Sequence, residues 1–116
     1  MPKKFIRSFS HARAGMQHIL NTQRNIWIHF VIGLLVLTAA FFLKGSLAEM
    51  AILVLTVVFV IVTEMINTAV EETVNLLKPE IHPLAGLVKN IAAGAVLAAA
   101  AGAVIIGLLI FVPKLL

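Results

Sequence analysis

Ile91 to Val112 is a run of 22 residues without a charged side chain. A helix of that length crosses a hydrocarbon layer about 30 Å thick. Two further apolar stretches precede it. Ile26 to Leu43 is 18 residues long, with His29 as its only ionisable group. Met50 to Val62 carries no charge at all. In lipid, backbone groups must be satisfied within the segment, so each stretch reads as a helix. The expectation is an all-α membrane protein with three transmembrane helices. Charged residues make up 12% of the 116 residues, about half the fraction usual in soluble domains. A water-soluble globular enzyme is therefore excluded.

Met1 to Thr22 places Phe5, Ile6, Phe9, Ala12, Met16, Ile19 and Leu20 at helical spacing among Lys3, Lys4, Arg7, His11, Arg13 and His18. This pattern predicts an amphipathic helix, residues 1–22, lying on the membrane surface. The spans follow at 26–43, 47–77 and 89–112, with a connector at 78–88. The chain is one membrane domain throughout. Trp27 stands at the start of the first span, where an indole anchors at the interface. Lys44-Gly45-Ser46 breaks the hydrophobic pattern, and its Gly and Ser supply turn chemistry. Pro79 stops the second helix, and Pro83 starts or kinks the next. The third span is crowded with Ala and Gly, which let membrane helices approach closely.

The net charge of +4 matches a membrane protein with its basic residues on one side, not a nucleic-acid binder. Lys3, Lys4, Arg7, Arg13, Arg24, Lys78 and Lys89 fall on one side, Lys44 and Lys114 on the other. That places the N-terminus in the cytoplasm of a bacterial inner membrane protein. There is no cysteine, hence neither a disulfide scaffold nor a thiolate metal site. His11 and His18 have no third partner at zinc-ligand spacing. The nucleotide loops G-x-x-x-x-G-K-[ST] and G-x-G-x-x-G are both absent.

The second span ends in a polar stripe. At 100° per residue, Glu64, Thr68, Glu71, Asn75 and Lys78 fall at about 0, 40, −20, 20 and −40°, with Asn67 at about −60°. An acid on insertion scales costs about 2.5–3.5 kcal/mol at mid-membrane and less near the interface. A solvated helix end is the plain reading of such a stripe, but four acids and amides on one face look more like a site. Phosphoryl transfer needs a group to take the acceptor's proton, a metal against the β/γ charge, and cations or amides on the phosphates. Glu64, the deepest acid, lies where a lipid hydroxyl would reach. Glu71 can hold Mg²⁺, Asn67 and Asn75 can orient oxygens, and Lys89 can bind a phosphate. Glu72, at the edge of the stripe, reads as solvated or paired.

The stretch Glu64-Met-Ile-Asn67-Thr68-Ala69-Val70-Glu71, then His82-Pro-Leu-Ala, then Lys89-Asn90-Ile-Ala-Ala-Gly-Ala-Val, resembles the prokaryotic integral-membrane diacylglycerol kinase and undecaprenol kinase family. That family's pattern is E-x-x-N-[ST]-A-[IV]-E-x-x-V-D, followed by A-K-D-x-A-A/S-A. The likeness runs upstream through Ser8-Phe9-Ser10-His11-Ala12, Gly15, Thr22-Gln23-Arg24-Asn25 and Ile28-His29. It implies an ATP-dependent lipid kinase, Mg²⁺ as metal, diacylglycerol or undecaprenol as acceptor, and a homotrimer with sites between neighbouring chains. By the same resemblance Glu64 matches the catalytic base, Glu71 a metal ligand and Asn67 a site amide. His11, Glu80, His82, Lys89 and Asn90 match nucleotide-contact positions.

Three positions depart from the family pattern. Gln23 stands where the family has its second metal-binding Glu, and Asn75 and Asn90 stand where it has Asp. The alternative these swaps raise is a weakened or inactive relative that keeps the fold and binds nucleotide or lipid. A proton-coupled transporter using Glu64 as relay is a third reading. It needs a polar path through the other spans, and only His29 offers a group.

The charge asymmetry is tested with single cysteines at Ser46 and Glu80. In intact cells an impermeant thiol reagent is expected to label Ser46→Cys and leave Glu80→Cys unlabelled. The reverse pattern overturns the topology.

Overall fold

In a computed structural model, residues 2–77 and 83–116 are described. They form four helices in order: α1 Pro2–Thr22, α2 Arg24–Phe42, α3 Leu47–Leu76 and α4 Pro83–Leu115. The expectation of an all-α fold with one surface helix and three long apolar helices holds. α2, α3 and α4 are each long and apolar enough to cross a membrane. α4 opens at Pro83, several residues before the start that the hydrophobic pattern placed at Lys89. A proline lacks only an N–H that the first helical turn leaves unused. The helix also continues through Pro113, one residue past the expected end.

α3 is the central element and packs against both α2 and α4. Its buried residues Leu53, Val60, Glu64, Thr68 and Val74 lie along one side. The polar stripe is therefore the continuation of the core-facing side. Toward the α2–α3 turn Ala40, Leu53 and Ile110 form a buried apolar cluster, backed by Val36, Leu37, Met50, Ile106 and Phe111. Large apolar side chains such as Leu35, Phe41, Phe42, Leu55, Leu97 and Leu109 face outward. In water this would be prohibitive, but hydrocarbon solvates them.

The α2–α3 turn is a Schellman stop. Gly45 N–H donates to Ala40 O at 2.8 Å and Lys44 N–H to Phe41 O at 3.2 Å. The left-handed residue is Lys44, with φ 61°, and not Gly45. Gly45 is needed for a different reason: a Cβ there would sit 3.0 Å from the Ala40 carbonyl oxygen that its own N–H bonds. The chain then re-enters a helix through a capping box. Glu49 N–H donates to Ser46 Oγ at 3.1 Å, and Ser46 N–H to Glu49 Oε1 at 2.9 Å. Glu49 also takes Lys114 Nζ at 2.8 Å, fastening the end of α4 to the start of α3.

α1 joins the bundle through its last turn. Ile19 is buried, Gln23 N–H donates to Ile19 O at 2.9 Å, and Trp27 Nε1 donates to Leu20 O at 2.6 Å. The indole thus ties the surface helix to the first span. The remaining apolar face of α1, with Phe5, Ile6, Phe9 and Met16, is exposed, as befits a helix that rests on lipid.

Gly33 sets the α2–α3 spacing. A Cβ at this position would lie 2.6 Å from Val57 Cγ1. Val57 is β-branched and stiff in a helix, so relief requires the helices to separate. Gly33→Ala is expected to lower resistance to denaturation in detergent by about 1–3 kcal/mol, as overpacking does. Val57→Ala should be less damaging in the Gly33→Ala background than alone. Equal effects in both backgrounds would mean that Gly33 is not where the two helices meet.

Candidate functional site

The stripe on α3 runs from a buried end to an exposed end. Glu64 is 8% exposed and Thr68 is 3% exposed. Glu64 lies 17 residues beyond Leu47, roughly 26 Å along the helix, close to the far boundary of a hydrocarbon core about 30 Å thick. Glu71 and Asn75, two and three turns further on, project past that boundary.

Polar contacts order the stripe. Thr68 Oγ1 donates to Glu64 O at 3.0 Å, so this hydroxyl is satisfied by its own helix. Asn67 Nδ2 donates to Glu71 Oε1 at 3.1 Å. This leaves Asn67 Oδ1 buried with no hydrogen-bond partner. An unpaired buried acceptor is uncommon in a folded protein and calls for a ligand or an ion. His29 Nε2, on α2, lies 3.4 Å from Glu64 Oε1. His29 and Glu64 are the sole ionisable pair joining α2 to α3 among the described residues.

The outer part of the stripe touches its neighbours. Lys89 Nζ, in the first turns of α4, donates to Asn75 Oδ1 at 2.9 Å. His18 Nε2, on α1, lies 3.3 Å from Glu72 Oε1. Glu72 is thus paired, as one of its two readings had it. The pair is exposed and carries little stability on its own.

The remaining candidates are spread around this line. His11 is exposed on α1, and Asn90 is exposed on α4. Gln23 is half-buried at the break between α1 and α2, where its side chain makes no capping bond. Glu80 and His82 lie outside the described residues. Among the described residues no three His, Cys, Asp or Glu side chains converge on a common point. The oxygen donors of the stripe are Glu71 and the free Asn67 Oδ1. That set is hard and incomplete, and it suits a small hard cation that arrives with ligands of its own.

An apolar groove of about 360 Å³ opens between the spans and reaches His29 and Val60, one helical turn from the buried acid. His29 and Gly33 line it from α2, Val57 and Val60 from α3, and Ala100 and Val104 from α4. Its only other polar lining residue is Thr56, whose hydroxyl donates to Ile52 O at 2.7 Å. The groove has the volume and the surface for part of an apolar chain.

The model of the prokaryotic diacylglycerol kinase family matches residues 10–111. The chain belongs to that family. As a member it is a lipid kinase. It is 41% identical to the undecaprenol kinase of Bacillus subtilis (strain 168) over 112 residues, which is 97% of this chain and 91% of that one. It is 44% identical over 110 residues to the diacylglycerol kinase of Synechocystis sp., covering 94% of this chain. This chain spans 63% of the cyanobacterial relative's length. No solved structure is a significant match.

Sequence reasoning missed three contacts in this kinase. The Glu64–His29 pair has a signal in the depth count. His29 lies 15 residues before Lys44 and Glu64 lies 18 after Ser46, so a hairpin brings them within one turn of each other. Ser46-x-x-Glu49 was readable as a capping box. Its second partner, Lys114, carries no local signal.

Proposed function

We propose that the chain transfers the γ-phosphoryl group of Mg-ATP to the primary hydroxyl of a membrane alcohol, undecaprenol or diacylglycerol. It acts at the cytoplasmic face of a bacterial inner membrane. The observation that carries this reading is the burial of Glu64 at hydrocarbon-boundary depth, one helical turn from an apolar groove. An acceptor whose tail lies in the groove brings its hydroxyl to this depth and no further. Glu64 takes the hydroxyl proton as the oxygen attacks the γ-phosphorus, and the bond to the ADP leaving oxygen breaks. Asn67 and Glu71 hold the outer side of the site, with Glu71 and Gln23 as the metal's protein ligands. When bound, Mg²⁺ neutralises charge on the β- and γ-phosphates. Lys89 and Asn90, with His11, Glu80 and His82, hold the nucleotide. Lys89 is already turned toward the stripe by its bond to Asn75.

The assembly is proposed to be a homotrimer. An added Cβ at Gly94, Gly102 or Gly107 of α4 would meet nothing within 4 Å, so close-approach positions of α4 are unused within one chain.

Purified protein in detergent with labelled ATP, Mg²⁺ and each lipid in turn tests the activity and names the acceptor. Glu64→Gln is expected to abolish transfer and leave the fold intact. General-base catalysis is worth about 10²–10⁴-fold, so a variant keeping more than about a tenth of the rate removes Glu64 from that role.

A second reading, a kinase of weakened turnover, is favoured by the amides at Gln23, Asn75 and Asn90. Even at a water-like dielectric, a unit charge contact at 4 Å is worth about 1 kcal/mol, or about fivefold in affinity. Gln23→Glu is therefore expected to lower the Mg²⁺ concentration for half-maximal rate at least about fivefold. An unchanged metal requirement would mean that Gln23 is not a metal ligand.

A further inference from the structure

His29 is an ionisable group in a span of lipid-facing side chains, and phosphoryl transfer as described above does not use it. Such a residue costs stability unless it has a task. Its ring is 26% exposed and the Glu64 carboxyl side chain is 11% exposed, with Nε2 and Oε1 3.4 Å apart. Among the described residues His29 is the one polar side chain at the Glu64 carboxylate. Thr68 bonds the Glu64 backbone carbonyl and leaves the carboxylate to His29.

The surroundings fix this geometry. Gly33 is one turn along α2 from His29, on the same side, and brings the two helices to the spacing at which the ring reaches Oε1. His29 also lines the groove. It stands between the apolar slot and the acid, and a group arriving along the groove passes its ring. The 3.4 Å separation is long for a direct bond, as is common before a substrate tightens a site.

We infer that His29 is a positioning residue for Glu64: its Nε2–H donates to the carboxylate and holds one oxygen toward the groove. This rests on the reading of Glu64 as the base. Without the imidazole, a carboxylate on a three-torsion side chain samples other rotamers. A displacement of about 1 Å at a reacting group can reduce rate about 10²-fold. The role requires a donor at the Nε2 position, and does not require a group that changes its charge. Gln presents an amide N–H at nearly that reach, whereas Leu presents none.

The test uses the full-length protein in detergent micelles with both lipid acceptors. His29→Leu is expected to lower kcat at least about tenfold, with KM for ATP within about twofold of wild type. His29→Gln is expected to restore kcat to within about threefold of wild type. If His29→Leu turns over like wild type, or raises only the lipid KM, His29 merely lines the groove and the proposal fails. If Gln is as poor as Leu, the ring itself carries a proton and positioning is the wrong role.

A second measurement is independent of turnover and of whether His29→Leu folds. With ¹⁵N-labelled histidine, wild type should show the Nε2-protonated tautomer for His29, and Glu64→Gln should shift that ring's resonances while leaving His11 unchanged. A His29 spectrum indifferent to Glu64→Gln overturns the contact. If the resonances shift but Glu64→Gln keeps its rate, the contact stands, the base assignment fails, and the positioning role fails with it.

Discussion

Hydrocarbon offers no water to a polar group, and this one condition accounts for most of the side-chain bonding in the spans. Thr38 donates to Leu34 O, Thr56 to Ile52 O, Thr63 to Val60 O and Thr68 to Glu64 O. Every one of these hydroxyls returns its proton to a carbonyl of its own helix. The helix thereby absorbs its own polarity and leaves the outer surface to lipid. Against that background three polar groups stand out, because their own backbone does not satisfy them: the Glu64 carboxylate, the His29 ring and Asn67 Oδ1. Two of them lie on α3, and the His29 ring reaches the Glu64 carboxylate from α2.

The spans were legible because length and apolar composition suffice to specify a membrane helix. Ile91 to Val112 needs no partner to be read. The stripe was legible because a helix repeats its face every three to four residues, so Glu64, Thr68 and Glu71 align from spacing alone. What spacing does not encode is the neighbour. Apolar side chains in lipid carry little information about which helix they meet, since van der Waals packing rather than aversion to solvent drives the contact. Gly33 reads as one more small residue until Val57 is seen against it. Lys44 reads as a solvated charge and not as the left-handed residue of a helix stop. Lys114 reads as an outer-side lysine until Glu49 is found 2.8 Å away.

The three amides lie unevenly over the structure. Asn75 accepts from Lys89, so its oxygen still serves as an acceptor where an acid would have added a charge. Asn90 faces solvent, where the loss of a charge is screened. Gln23 sits at the only break between the surface helix and the spans, with its side chain free of capping duty.

The turn end of the bundle has a mechanical meaning as well. The Schellman stop, the capping box and the Glu49–Lys114 pair converge within a few residues and fix the angle at which α3 leaves the turn. From Ser46 to Glu64 is about 27 Å along the helix. A rotation of about 5° at the turn swings the acid by about 2 Å at the end of that lever, enough to part Glu64 from His29. A few polar contacts on the far side of the membrane therefore set the tolerance with which two side chains meet near the near side, and angular stiffness at the turn becomes positional accuracy at the acid.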